Sequence, residues 1–182
     1  MAVVEEDEET EVLEKGWLAL DHPVSNLKEV WYQSRSTRIN MQKYRPRYKR
    51  HEWQGREIGT KIIDASEMVK LLGLPHIYQR YMARKNFTQD YDPFAHYHDR
   101  DRFMLFYIGT ADNIIGFTKQ KEYRYQEDNY ASLNDHDYPD LAGLESVIHA
   151  NTVPVSDVTL DLELEWAAEN YVAYFYMGSG YE

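Results

Sequence analysis

Four side chains near the end of the chain have the types and spacing for proton transfer. Glu145 and His149 lie four residues apart in the apolar segment Glu145-Ser-Val-Ile-His-Ala-Asn151. On a strand, that spacing puts both on one face. An imidazole titrates near neutrality, and a carboxylate beside it would orient it as a base. Tyr174 and Tyr176, in the run Tyr171-Val-Ala-Tyr-Phe-Tyr-Met-Gly178, would share a face of a later strand and could donate protons. The plainer account of the first pair is a half-buried strand with ordinary polar partners. For the tyrosines it is core or interface packing.

Two other groups invite chemistry. In His96-Tyr-His98-Asp99, with Asp101 close behind, two imidazoles could reach one divalent ion if the segment is extended. His136 could join only if the fold brings the two loops together. No cysteine and no well-spaced third ligand supports this, so the run reads as a polar loop and no metal is expected. The second group is basic. Arg35, Arg38, Lys43, Arg45, Arg47, Lys49 and Arg50 lie between Glu29 and Glu52 with no acid among them, interleaved with Tyr44 and Tyr48 and flanked by Tyr32 and Trp53. Cations neutralise phosphates and aromatic rings stack on unpaired bases, so these seven are the candidate nucleic-acid contacts. The alternatives are an interface arm, or pairing with the acidic N-terminal stretch.

The elements that must position these residues are those of a soluble α/β protein. At 182 residues the chain can bury one core and is too short to argue for two. It has no cysteine, so neither a disulfide framework nor a thiol nucleophile. No apolar run is long enough to span a membrane, and the acidic start is unlike a secretory leader. A cytoplasmic protein without membrane partners is the expectation. The net charge of −11 is concentrated early, with seven acids between Glu5 and Glu14. Residues 1–15 therefore read as an acidic flexible tail.

Residues 16–56 read as an N-terminal extension carrying the basic arm, with a short helix at 26–33 and an irregular or extended 35–53. Residues 57–182 read as the main domain. Its first strand is Arg56–Ile63, rich in β-branched residues. Ser66 opens a helix with Met68, Val69, Leu71 and Leu72 on its face, ended by Gly73 and Pro75. A second helix covers 76–85. Phe103–Ile108 and Ile114–Tyr123 make an antiparallel hairpin about the turn at Gly109. Residues 126–143 read as a polar loop. From Val158 to Trp166 apolar and polar residues alternate as in a strand, but good helix formers and the continuation through Ala167 and Ala168 favour a helix over 157–170. With 145–151 before it and 171–178 after it, this gives a βαβ crossover.

That order of elements resembles the GNAT acyltransferase superfamily. Ile114-Ile-Gly-Phe117 looks like the second strand of that family's hairpin, and Val172-Ala-Tyr-Phe-Tyr-Met-Gly178 like the strand after its crossover helix. The Tyr-Met-Gly ending is also similar to aminoacyl-tRNA–protein transferases. The resemblance covers about residues 57–182. It implies an α/β fold with a mixed, mostly antiparallel sheet, flanking helices and a C-terminal βαβ crossover. It also implies transfer of an acyl or aminoacyl group to a protein or small amine, from acyl-CoA or aminoacyl-tRNA. Glu145 or His149 would be the base, Tyr174 or Tyr176 would assist the leaving group, and the basic arm would flank tRNA or other RNA.

The sequence departs from the family in two places. The family's turn before the crossover helix is Arg/Gln-x-x-Gly-x-Gly/Ala, whose amides hold pyrophosphate. Here it is Asn151-Thr-Val-Pro-Val-Ser-Asp157, without glycine or base. The chain also stops at Glu182, where the family continues with a helix and strands. Both departures favour the other expectation, a non-catalytic structural or interaction protein with assembly partners on the same scaffold.

Overall fold

The computed structural model describes residues 2–5, 7–20, 30–33, 36–68, 73–86, 94, 101–125, 128–133 and 155–179. The segment 145–151, with Glu145 and His149, lies outside the described residues. So do Arg35, His96, His98, Asp99 and His136.

Two sheets carry the fold. A small antiparallel one, ordered β1-β3-β2, is made of β1 (Ala2–Val3), β2 (Trp17–Leu20) and β3 (Val30–Gln33), with helix α1 (Glu9–Glu14) between the first two. The acidic stretch is thus structured in part: Leu13 of α1 is buried in a cluster with Trp31 and Tyr176. The helix expected over 26–33 is corrected at its described end, where Val30-Trp-Tyr-Gln33 pairs with β2 from Trp17↔Gln33 to Leu20↔Val30. A β-branched and two aromatic residues suit that pairing better than a helix.

The main sheet has seven strands in the order β4-β10-β9-β8-β7-β6-β5. They are β4 (Ser36–Asn40), β5 (Glu52–Trp53), β6 (Arg56–Asp64), β7 (Asp101–Ile108), β8 (Ile114–Tyr125), β9 (Asp128–Leu133) and β10 (Tyr174–Ser179). A 3-10 turn, Met41–Lys43, follows β4 and is capped by the Asn40 side chain accepting from Gln42 N at 3.0 Å. Helices α2 (Ala65–Met68) and α3 (Leu74–Lys85) lie between β6 and β7, and α4 (Val155–Glu169) between β9 and β10. The β7–β8 hairpin turns through Gly109 at φ +79° and is closed by Asn113, whose side-chain amide donates to Ile108 O at 3.0 Å.

All described pairings in the main sheet are antiparallel except β9 with β10, which run parallel through Phe175↔Ala131 and Tyr176↔Ser132. The described crossover runs from β9 through α4 to β10, and the strand expected at 145–151 lies outside the described residues. The stretch expected as a polar loop holds a strand at 128–133. Its polar residues are paired along β8, from Gln120↔Leu133 to Tyr125↔Asp128.

Strand alternation sorts the core onto two faces. Ile63, Phe103, Leu105 and Phe117 meet Leu74, Ile77 and Tyr78 of α3. Ile58, Met104, Phe106 and Ile108 meet Val158 and Leu162 of α4. The apolar residues of α4 alternate in sequence, yet on a helix they separate into stripes. Val158, Leu162 and Trp166 pack toward β6 and β7, whereas Leu160, Leu164 and Ala167 pack toward Phe175 and Met41. A helix enclosed on several sides does not show a single 3.6-residue stripe.

Candidate functional site

Two places on this frame gather polar chemistry. The first is the parallel strand pair. Tyr176 is opposite Ser132 on one side and Arg38 of β4 on the other. It is only 2% exposed, because Leu13 and Trp31 cover it. The Arg38 guanidinium lies over the Tyr174 ring at 4.6 Å and beside the Tyr176 hydroxyl. Burial raises the Tyr176 phenol above its ordinary value, and Arg38 pulls the other way without overcoming it. The phenol is therefore protonated at neutral pH, able to donate a proton and unable to accept one as a base.

The same face continues with buried charge. Lys121 pairs across the ladder with Ser132 on one side and Asp101 on the other. Lys119 Nζ lies 3.2 Å from Asp101 Oδ2 with both side chains essentially out of solvent. Asp101, read from sequence as a carboxylate near two imidazoles, is thus held by a lysine. Among the described residues no three metal-ligating side chains come together.

The second place is the outer side of α4. Asp157, Asp161 and Glu165 recur every fourth residue and so share one side of the helix. They face the segment that follows β4. The Asp161 carboxylate, 4% exposed, accepts from Tyr44 Oη at 2.5 Å, Arg47 N at 3.0 Å and Tyr48 N at 3.0 Å. His51 Nε2 adds a contact at 3.1 Å, and its Nδ1 lies 3.6 Å from Glu165. Arg47 reaches Asp157 at 3.4 Å. Burial would raise the Asp161 carboxyl, but these donors together hold it below the usual carboxylate range. Burial, then the bond to Asp161, pushes the Tyr44 phenol up.

The candidate residues are therefore divided. Tyr174, Tyr176 and Arg38 come together at the strand pair. Lys43, Arg45, Arg47, Lys49 and Arg50 lie exposed along the arm on α4. The tyrosines expected to stack on bases are spent on docking. Tyr44 packs against the cluster around Phe175, and Tyr48 against the one around Trp53. Sequence reasoning missed Asp161 and His51. The signal was the four-residue spacing of Asp157, Asp161 and Glu165, visible only once 157–170 is taken as a helix. No helix among the described residues is long and apolar enough to cross a membrane.

No family model and no curated protein sequence matches this chain. Solved structures do. The C-terminal domain (DUF2156) of the Agrobacterium fabrum "Putative Lysylphosphatidylglycerol Synthetase" aligns with a TM-score of 0.56 at 8% identity, over 94% of this chain and 51% of that one. This chain thus spans about half the length of that structure. An aminoglycoside acetyltransferase from an uncultured soil metagenomic sample aligns more loosely, with a TM-score of 0.39 at 13% identity, over 64% of this chain and 75% of that one. The mixed sheet, flanking helices and βαβ crossover are those of a GNAT-like fold.

Proposed function

We propose that this chain transfers an acyl or aminoacyl group to an amine, with a donor held otherwise than by the usual pyrophosphate turn. The observation that carries this reading is the parallel β9–β10 pair, joined through α4, with the protonated Tyr176 phenol at its register point beside Arg38. In such a transfer the amine nitrogen attacks the donor carbonyl and loses a proton to a base. The bond to the leaving oxygen or sulfur breaks, and the leaving atom takes a proton from an acid. Tyr176 suits the acid. Glu145 or His149 is the proposed base on sequence alone. Asp157 in the first turn of α4 disfavours pyrophosphate there, so aminoacyl-tRNA is preferred over acyl-CoA. The neighbour named as a lysylphosphatidylglycerol synthetase domain is compatible with acyl-group chemistry on this fold.

A second reading has its own observation. Tyr176 is covered by Leu13 and Trp31, so substrate could reach it only if α1 and β3 moved. A protein that uses the scaffold for contacts and catalyses nothing needs no such movement. Mass spectrometry of reactions holding acetyl-CoA or charged tRNA with free amino acids, peptides and amino lipids separates the two. Transfer that falls roughly 100-fold or more in Tyr176→Phe, the scale of a lost general acid, supports the enzyme. Absence of product from every donor and acceptor pair leaves the interaction protein.

A further inference from the structure

The arm Lys43-Tyr-Arg-Pro-Arg-Tyr-Lys-Arg50 divides its side chains in a way its composition alone does not explain. Tyr44 and Tyr48 turn inward, to Asp161 and the two clusters under α4. Lys43, Arg45, Pro46, Arg47, Lys49 and Arg50 stay exposed. Lys43 closes the 3-10 turn and bends follow at residues 47, 49 and 50, so the arm curves over α4, with the consecutive amides of Arg47 and Tyr48 both turned to Asp161. The arm is held in place from beneath, because one buried carboxylate binds two of its backbone amides, a phenol and an imidazole. Among the described residues, the ion pairs that its cations make, Arg47 with Asp157 at 3.4 Å and Arg50 with Glu52 at 3.6 Å, are exposed and weak.

We infer that residues 43–50 are a preformed cationic comb that binds the phosphate backbone of a nucleic acid, with Asp161 as its positioning residue. Elsewhere the chain is strongly acidic, so the comb is a local exception that directs a polyanion to one place. With its rings turned inward, the comb reads phosphates and not bases, and sequence preference is weak. The inference does not depend on transfer chemistry: a chain that transfers nothing keeps it.

Anisotropy titration of the full chain with a labelled single-stranded RNA, at several salt concentrations, tests it. Binding should weaken steeply with salt. The double variant Arg45→Ala, Lys49→Ala should lower the salt slope by about 1.4, at about 0.7 per lost phosphate contact. Asp161→Asn is the sharper arm. It removes a negative charge near the cations, so charge alone predicts tighter binding, whereas the comb predicts binding weaker by several-fold. Tyr44→Phe keeps every charge and should weaken binding in the same direction, and it serves where Asp161→Asn does not fold. The inference is overturned by no binding at low salt, by an unchanged slope in the double variant, or by tighter binding in folded Asp161→Asn. Binding to phosphatidylglycerol vesicles but not to RNA overturns it too, in favour of a membrane surface.

Discussion

The sheet face that buries Tyr176 and Asp101 and the arm on α4 solve opposite problems with the same residue types. On the sheet face that runs from Tyr176 across to Asp101, lysines and a phenol are turned inward: Lys119 and Lys121 are buried beside Asp101, and Tyr176 lies under Leu13 and Trp31. On α4 the carboxylate is inside and the cations are out, with Asp161 buried and Arg47 mostly exposed. A buried lysine must be paired because desolvation is expensive, so it stabilises only through its partner. An exposed arginine over a buried carboxylate is available to something else. Stability and recognition are therefore separable here, and substitutions should divide along that line.

The largest expected effect is on that buried face, in the β7–β8 ladder. Asp101→Ala strands Lys119 in the core and should lower unfolding free energy by about 3–5 kcal/mol, the usual consequence of removing one partner of a buried pair. Urea unfolding followed by circular dichroism measures it. A loss of under about 1 kcal/mol would mean water reaches that face, and the contrast with the arm would fail. Asp161→Asn should come next, at about 1.5–3 kcal/mol, the range for hydrogen bonds to a charged group. Its pH dependence sharpens the comparison. The folded-state carboxyl lies below its unfolded value of about 3.9. Its stabilisation is thus full above that pH and lost as pH falls through the folded value. Wild type should lose stability below about pH 4 more steeply than Asp161→Asn, and parallel curves would show that Asp161 is not the staple.

Gly59→Ala should cost about 1–3 kcal/mol, as overpacking does. An added Cβ would lie 2.4 Å from the Tyr107 ring that crosses the glycine. A neutral result would mean that ring swings clear. The smallest effect belongs to Lys15→Ala. Its ion pair with Glu11 on α1 is well exposed, so the melting temperature should not move measurably.

Much of the frame was legible because its strands carry strong local signals. Phe103–Ile108 and Ile114–Tyr123 are aromatic and β-branched about a Gly-containing turn, and the hairpin stands where expected. The crossover helix was legible through its helix formers, against its own alternation. The strand at 128–133 was not, because Asp128-Asn-Tyr-Ala-Ser132 has the composition of a turn, and only the neighbouring β8 ladder makes it a strand. The buried side of α1 was hidden for a related reason. Seven acids in ten residues read as solvated chain, yet Val12 and Leu13 provide enough apolar surface to dock on Trp31. Of the site, the tyrosine pair was legible from its i, i+2 spacing. Its partner Arg38 was not, since it lies far away in sequence and only the β4–β10 ladder brings it near.

That ladder has a consequence for how the chain reaches its native state. Tyr176↔Arg38 and Phe175↔Ile39 join a strand near the beginning to the last described strand. Pairings so distant in sequence are slow to form, because the loop they close must be ordered before any contact rewards it. On the ribosome β4 emerges well before β10, its described partner, and that edge waits until β10 has been made. Its neighbours in the meantime are the cations of the arm, and charge beside an unpaired edge discourages it from pairing with another copy.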